Sequence, residues 1–159
     1  MDYSLDSFAT KVLEFNTIAG KNTVPTKQDL INQMKIIMEE VKETINDLEA
    51  NDRVGVLDGY TDMMVTVVGF GQMLNNLNIP TNAALHETAD NNLTKFPRIN
   101  DNLTVLYANT ARKYPQHKVS CTVYEDRAAF KNENNKVLKP EGYIPNDLSL
   151  HVPDTWVLV

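Results

Sequence analysis

"MEEVKETINDLEANDRVGVLDGYTDMMVTVVGFGQML", residues 38–74, decides how this chain is read. Its middle, "EANDRVG", reads as a turn between two helices. The helix before it starts at residue 26, where Thr26 is an N-cap with Asp29 three residues later. It runs to about residue 50. Leu30, Met34, Ile37, Met38, Val41, Ile45 and Leu48 form its expected core stripe. The helix after the turn is expected over 53–78. Its segment "MMVTVVGF" is β-branched enough for a strand. The apolar positions nevertheless extend both ways without a turn signal until Ile79-Pro80, so helix is preferred. That helix is apolar nearly all round, from Val54 through Tyr60, Met64 and Val68 to Leu77. Such a helix must be central, which implies a bundle completed by a second subunit. Gly55, Gly59, Gly69 and Gly71 each cost helix stability, and close helix approach would offset that cost.

Working outward, residues 4–18 carry Leu5, Phe8, Val12, Leu13 and Phe15 at helical spacing. "AGKNTVPT" then breaks the pattern. Thr81 is placed to cap a fourth helix over 82–95, ended by Pro97. Beyond residue 103 the composition changes, and four of the seven prolines lie there. "VSCTVY" reads as a short strand and "AAFKNENNKVLKP" as a hairpin. The expected organisation is an all-α core over 1–103 and a C-terminal extension over 104–159, largely irregular with short strands.

The net charge of -6 and pI near 5.0 argue against nucleic acid as a partner, because a phosphate-binding face is basic. They leave room for a phosphorylated small molecule, since divalent cations bring anions to acidic sites. The single cysteine, Cys121, excludes an intrachain disulfide and a cysteine-cluster metal site. A reducing cytoplasm is the expected compartment. The start, "MDYSLDSFATKVLEF", lacks the pattern of a signal peptide, and no stretch reaches the length of a membrane span.

The candidate site lies in the opening stretch. Glu39, Glu40 and Glu43 fall at about 0°, 100° and 40° around their helix, close to one quadrant. Asp58 and Asp62, four residues apart on the next helix, differ by about 40°. In a hairpin turning between Ala50 and Asn51, Glu43 and Asp58 share one height. Glu39 and Asp62 share another, about one turn deeper. Glu40 lies opposite Thr61 in this register and has no acidic partner at its height. Read alone, "EEVKE" is a charged helix face. The matched aspartates change that reading, because they interrupt the most apolar helix of the chain, where a bare acid is costly. Five converging carboxylates repel one another, and a hard divalent cation such as Mg²⁺ resolves the repulsion. Asp47 is expected to be a solvated acid near the helix end.

These residues resemble the all-α nucleoside triphosphate pyrophosphatases: MazG-like proteins, dimeric dUTPases and phosphoribosyl-ATP pyrophosphohydrolases. The family's E-E-x-x-E cluster is matched by "EEVKE", residues 39–43. Its following acidic helix is matched by "LDGYTDMMVTVVGFGQMLNNLNIP", residues 57–80. Its S-N-x-S-K motif is matched by "ADNNLTKF", residues 89–96, with Asn92 and Lys95 at the corresponding positions. The likeness spans roughly residues 5–98, and "NKVLKPEGYIPNDL", residues 135–148, is similar to small phage-encoded relatives. The chain departs from the family at Gly59, where many members carry a glutamate. The acid here stands at Asp58.

The resemblance implies hydrolysis between the α- and β-phosphates of a nucleotide, giving a monophosphate and pyrophosphate. It implies Mg²⁺, with Mn²⁺ a substitute, held by Glu39, Glu40, Glu43, Asp58 and Asp62. Glu39 or Glu40 would be the general base. Lys95 would contact phosphate, and Asn92 phosphate, sugar or base. Related proteins form dimers or tetramers, so a four-helix-bundle-type homodimer or homotetramer is expected. The location is the cytoplasm, or the host cytoplasm if the chain is phage-encoded. Narrower alternatives are a dUTPase-like or phosphoribosyl-ATP-like substrate, with selectivity set near Phe15 and Asn16. A further alternative is a non-catalytic helical protein that uses the acids only to bind a metal or a partner. His86, His117 and His151 lack ligand spacing, and Cys121 and the methionines read as packing residues.

Overall fold

The computed structural model describes residues 4–99 and 102–154. Its elements are α1 (Leu5–Ile18), α2 (Lys27–Ala50), α3 (Arg53–Asn75), α4 (Thr81–Leu93), α5 (Leu103–Lys113), β1 (Ser120–Tyr124), β2 (Arg127–Lys131) and a 3-10 turn (Leu148–His151). They fall into two compact units. Among the described residues, one comprises 4–81 with 150–154, and the other 82–99 with 102–149. The division at 81–82 thus comes ahead of the composition change near residue 103.

The first unit is built on the α2–α3 hairpin. Thr26 and Asp29 form a reciprocal capping box at the start of α2, as expected. Asn51 ends α2 in the left-handed region at φ 57°, and Asp52 caps α3 by accepting from Val54 N and Gly55 N. Two residues therefore make the whole turn. Helix α1, capped by Ser4, packs on α3 through Val12 and Asn16.

The face α2 turns to α3 is not the expected apolar stripe. The covered positions are Leu30, Gln33, Ile37, Glu40, Thr44 and Asp47, spaced alternately by three and four. Met34, Met38, Val41, Ile45 and Leu48 lie one position round and are open to solvent, as is Ile31. The reason is the glycines of α3. A Cβ at Gly59 would lie 2.2 Å from Thr44 Oγ1, and one at Gly55 would lie 2.6 Å from Asp47 Cγ. Only the small and polar side of α2 can approach that closely. The apolar side is left facing out, together with Val54, Leu57, Tyr60 and Val67 of α3.

In the second unit, β1 and β2 form an antiparallel hairpin, with Tyr124 opposite Arg127 across a two-residue turn. Val119, Ala128, Phe130 and Leu138 make its core, joined by Leu103 and Leu106 of α5. Phe130 is fully buried. The segment expected to be largely irregular thus contains an 11-residue helix, α5. Its apolar residues crowd the N-terminal half, and its one fully buried side chain is a threonine, Thr110. Beyond the hairpin the chain runs as a strap over α4. Tyr143 Oη donates to Asn91 Oδ1 (2.5 Å), Asn91 Nδ2 to Ile144 O (2.8 Å) and Asn146 Nδ2 to Thr88 Oγ1 (3.2 Å). Thr81 opens α4 and is not its cap. Its amide and hydroxyl both donate to Asn75 Oδ1.

Candidate functional site

The hairpin seam places the five acids. Glu40 sits on the covered side of α2 between Ile37 and Thr44, while Glu39, Glu43, Asp58 and Asp62 lie toward solvent. Partial burial raises the pKa of the Glu40 carboxyl, and the charges of Asp62, Glu43, Glu39 and Asp58 raise it further, Asp62 most among them. All four other acids thus push the Glu40 pKa in the same direction. The difference from expectation is the rotation of α2, which puts Glu40, expected without an acid at its own height, on the covered side. Contact of Thr44 with Gly59 rotates α2 so that Glu40, and not Glu39, sits on the seam. Asp47 is likewise no free surface acid. It is half-buried against Gly55. The Gly59 departure also gains a cause, because any side chain there would strike Thr44.

Carboxylate oxygens suit Mg²⁺ in charge and hardness. Among the described residues, however, no three His, Cys, Asp or Glu side chains are grouped so as to enclose a metal ion. The donors are present and share a field, but they do not form a closed cage within one chain.

Asn92 and Lys95 belong to the second unit. Lys95 Nζ donates to Asn92 Oδ1 at 2.6 Å. Their turn is held by Arg127 of β2, which donates to Leu93 O and Phe96 O. The two motif residues thus form one polar pair on the end of α4.

A cavity of about 310 Å³ in the first unit, lined by α1, the loop after it, α2 and α3, has no motif that marks it in the sequence. Asn16, Asp29, Asn32, Gln33 and Gly69 are among its walls. Asn16 was an expected selectivity position and is a wall. Phe15 is not, and stays exposed. The overlooked signal was polarity on covered helix faces: Asn16 one turn after Val12, Gln33 one position before Met34, and Gln72 within an apolar helix. Gln33 and Glu40 are two turns apart on one face of α2, about 10 Å along the axis. Gly69 and Asp62 are spaced equally on α3. Cavity and acids therefore occupy successive stretches of the same hairpin.

No protein-family model, no curated protein and no solved structure matches the chain. Among the described residues, no helix is long and apolar enough to cross a membrane.

Proposed function

We propose that this chain is a Mg²⁺-dependent nucleoside triphosphate pyrophosphohydrolase, which cleaves the α–β phosphate anhydride to release a monophosphate and pyrophosphate. The observation that carries the reading is the placement of five acids, Glu39, Glu40, Glu43, Asp58 and Asp62, on the two helices of one hairpin, with Glu40 on its covered seam. Uncompensated clustering of this kind is a cost that a functional site tolerates and a mere surface avoids. Glu39, Glu40, Glu43, Asp58 and Asp62 would hold the cation, Mg²⁺ or Mn²⁺. When bound, the cation would neutralise phosphate charge and acidify a water. Glu39 or Glu40, whichever the cation does not fully engage, would serve as general base on the attacking water. Lys95 and Asn92 would meet the phosphates, sugar or base. A homodimer or homotetramer would cover the outward apolar side of α2 and α3. The cytoplasm is the proposed location.

The test is pyrophosphate release from a nucleotide panel with Mg²⁺. We expect turnover, and a loss of at least about 100-fold in a Glu40→Ala, Glu43→Ala double variant. No turnover of any nucleotide at micromolar enzyme would refute the proposal, as would full activity of the double variant. A non-catalytic helical protein that uses the acids only to bind a metal or a partner is the second reading, favoured by the departure at Gly59, where contact with Thr44 excludes the glutamate that many members of the resembling family carry. Calorimetry separates the two, because such a protein binds Mg²⁺ but no non-hydrolysable nucleotide.

A further inference from the structure

Helix α4 buries none of its residues, so side-chain hydrogen bonds set its place in the second unit. Asn91 commits both ends of its amide to the strap. Its Nδ2 donates to Ile144 O at 2.8 Å, and a carbonyl can only accept, so Oδ1 is the atom that takes the Tyr143 hydroxyl at 2.5 Å. Asn146 Nδ2 adds a bond to Thr88 Oγ1, one turn earlier on the same face of α4. From β2, Arg127 donates to Leu93 O and Phe96 O. The strap itself has a fixed root. Leu138 belongs to the core and Pro140 is buried. Glu141 N donates to Oγ1 of the fully buried Thr110, and Lys113 Nζ donates to Pro140 O. Gly142, in the left-handed region at φ 79°, then turns the chain toward α4. The Lys139 ammonium lies 5.0 Å from the centre of the Tyr143 ring and helps to hold it.

We infer that Tyr143, acting through Asn91, is a positioning residue for Asn92 and Lys95 as a phosphate-binding pair. Resting on the nucleotide reading above, this deepens it by giving the strap a role in substrate affinity. Asn92 follows Asn91 directly, and its Oδ1 accepts from Lys95 Nζ at 2.6 Å. Two neighbouring amides thus divide the work: Asn91 is tied to the strap, and Asn92 holds the lysine. A lysine has a long flexible stem and loses rotamer freedom when it holds a phosphate in one place. Fixing its partner beforehand reduces that loss at the moment of binding. The ammonium has more donor hydrogens than Asn92 uses, so the remainder can meet phosphate oxygens. Residues 135–148 then have a task in the site, exerted through α4.

The experiment is a double-variant cycle of Tyr143→Phe and Lys95→Ala, read by calorimetry with inorganic pyrophosphate and Mg²⁺ and by nucleotide turnover. Tyr143→Phe removes one hydroxyl and keeps the ring. It is expected to weaken pyrophosphate binding about threefold to tenfold, the worth of one hydrogen bond. It should raise KM for the nucleotide by a similar factor with kcat nearly unchanged. Lys95→Ala should weaken binding at least as much, and on that background Tyr143→Phe should cost less than about twofold, because the group it positions is gone. Val119→Ala, in the core of the same unit, is the control: it should lower Tm and leave pyrophosphate affinity unchanged. If Lys95→Ala abolishes binding, the comparison of Tyr143→Phe with this control decides; if the control does not fold, the cycle decides. Equal cost of Tyr143→Phe in both backgrounds, no cost in either, or an equal loss of affinity in the control overturns the inference. So does a wild-type chain that binds no pyrophosphate, or binding that Lys95→Ala leaves intact; where nucleotide turnover persists in those cases, the hydrolase reading survives. The expected cycle without turnover of any nucleotide keeps the role of the strap and removes the hydrolase.

Discussion

Gly59→Ala should destabilise the chain, although the same change in an open helix would stabilise it. Alanine gains about 1 kcal/mol over glycine from helix propensity alone. Against that, the new Cβ would lie 2.2 Å from Thr44 Oγ1, 3.1 Å from Thr44 Cβ and 3.4 Å from Thr44 Cα. The Thr44 hydroxyl is committed to Glu40 O at 2.7 Å, and rotating a β-branched residue on a helix moves neither Cβ nor Cα. The helices must therefore separate. Overpacking costs typically about 1–3 kcal/mol, and contact with a helix backbone points to the upper end. The net loss is then about 2 kcal/mol, or roughly 4–8 °C in Tm for a chain of this size. Gly71→Ala is the control. Its Cβ would meet nothing nearer than Thr81 Oγ1 at 3.8 Å, so it should gain about 0.5–1 kcal/mol. Urea unfolding of both variants, with a Thr44→Ala, Gly59→Ala double variant, measures the effect and its source. The double variant lacks the 2.2 Å clash and should lose less than the two single losses added together. The reasoning fails if Gly59→Ala is as stable as wild type, or if the two glycines respond alike.

Two other outcomes follow from the seam and its outer face. The folded chain holds the Glu40 proton to higher pH than the unfolded chain does. Wild-type stability due to this group is therefore full below the ordinary carboxylate pKa and falls as pH rises through the raised value. Glu40→Gln escapes that loss. With divalent cations chelated, it should be more stable than wild type at pH 7 by about 0.5 kcal/mol, small because water screens the site. The gain should vanish near pH 4, and a gain that is instead larger at pH 4 contradicts the assignment. Val41→Glu, in the middle of the outward apolar side of α2, should turn the expected dimer or tetramer into monomers in sedimentation. A wild-type chain that is already monomeric at micromolar concentration removes the interface.

Much of the first unit was legible because its signals are local. Thr26 with Asp29, and Asn51 with Asp52, act over three or four residues of backbone, and each took the role its residue type suggested. The five acids were legible as a group because helix geometry converts sequence spacing into angle and height. Helix α5 was less legible. Leu103–Lys113 buries a threonine at its most enclosed position, so its apolar count understates its burial. The strap after β2 was also hidden. Its bonds to Thr88 and Asn91 join residues more than fifty positions apart, and no periodicity encodes them.

The sequence by itself determined helices α1 to α4, the turn and the placement of five carboxylates on one hairpin, since each follows from neighbours a few residues apart. Which side of α2 meets α3 was decided only by the tertiary structure. Hydrophobicity nominated Met34, Met38 and Val41, but contact distance selected Gln33, Glu40 and Thr44, because the glycines of α3 admit a small or polar face more closely than a bulky one. That rotation of about one residue moved Glu40 onto the covered seam between the helices. It also placed Gln33 beside Asn16 as walls of one cavity. Steric fit between two helices is a property of the pair, and neither helix carries it in its own pattern.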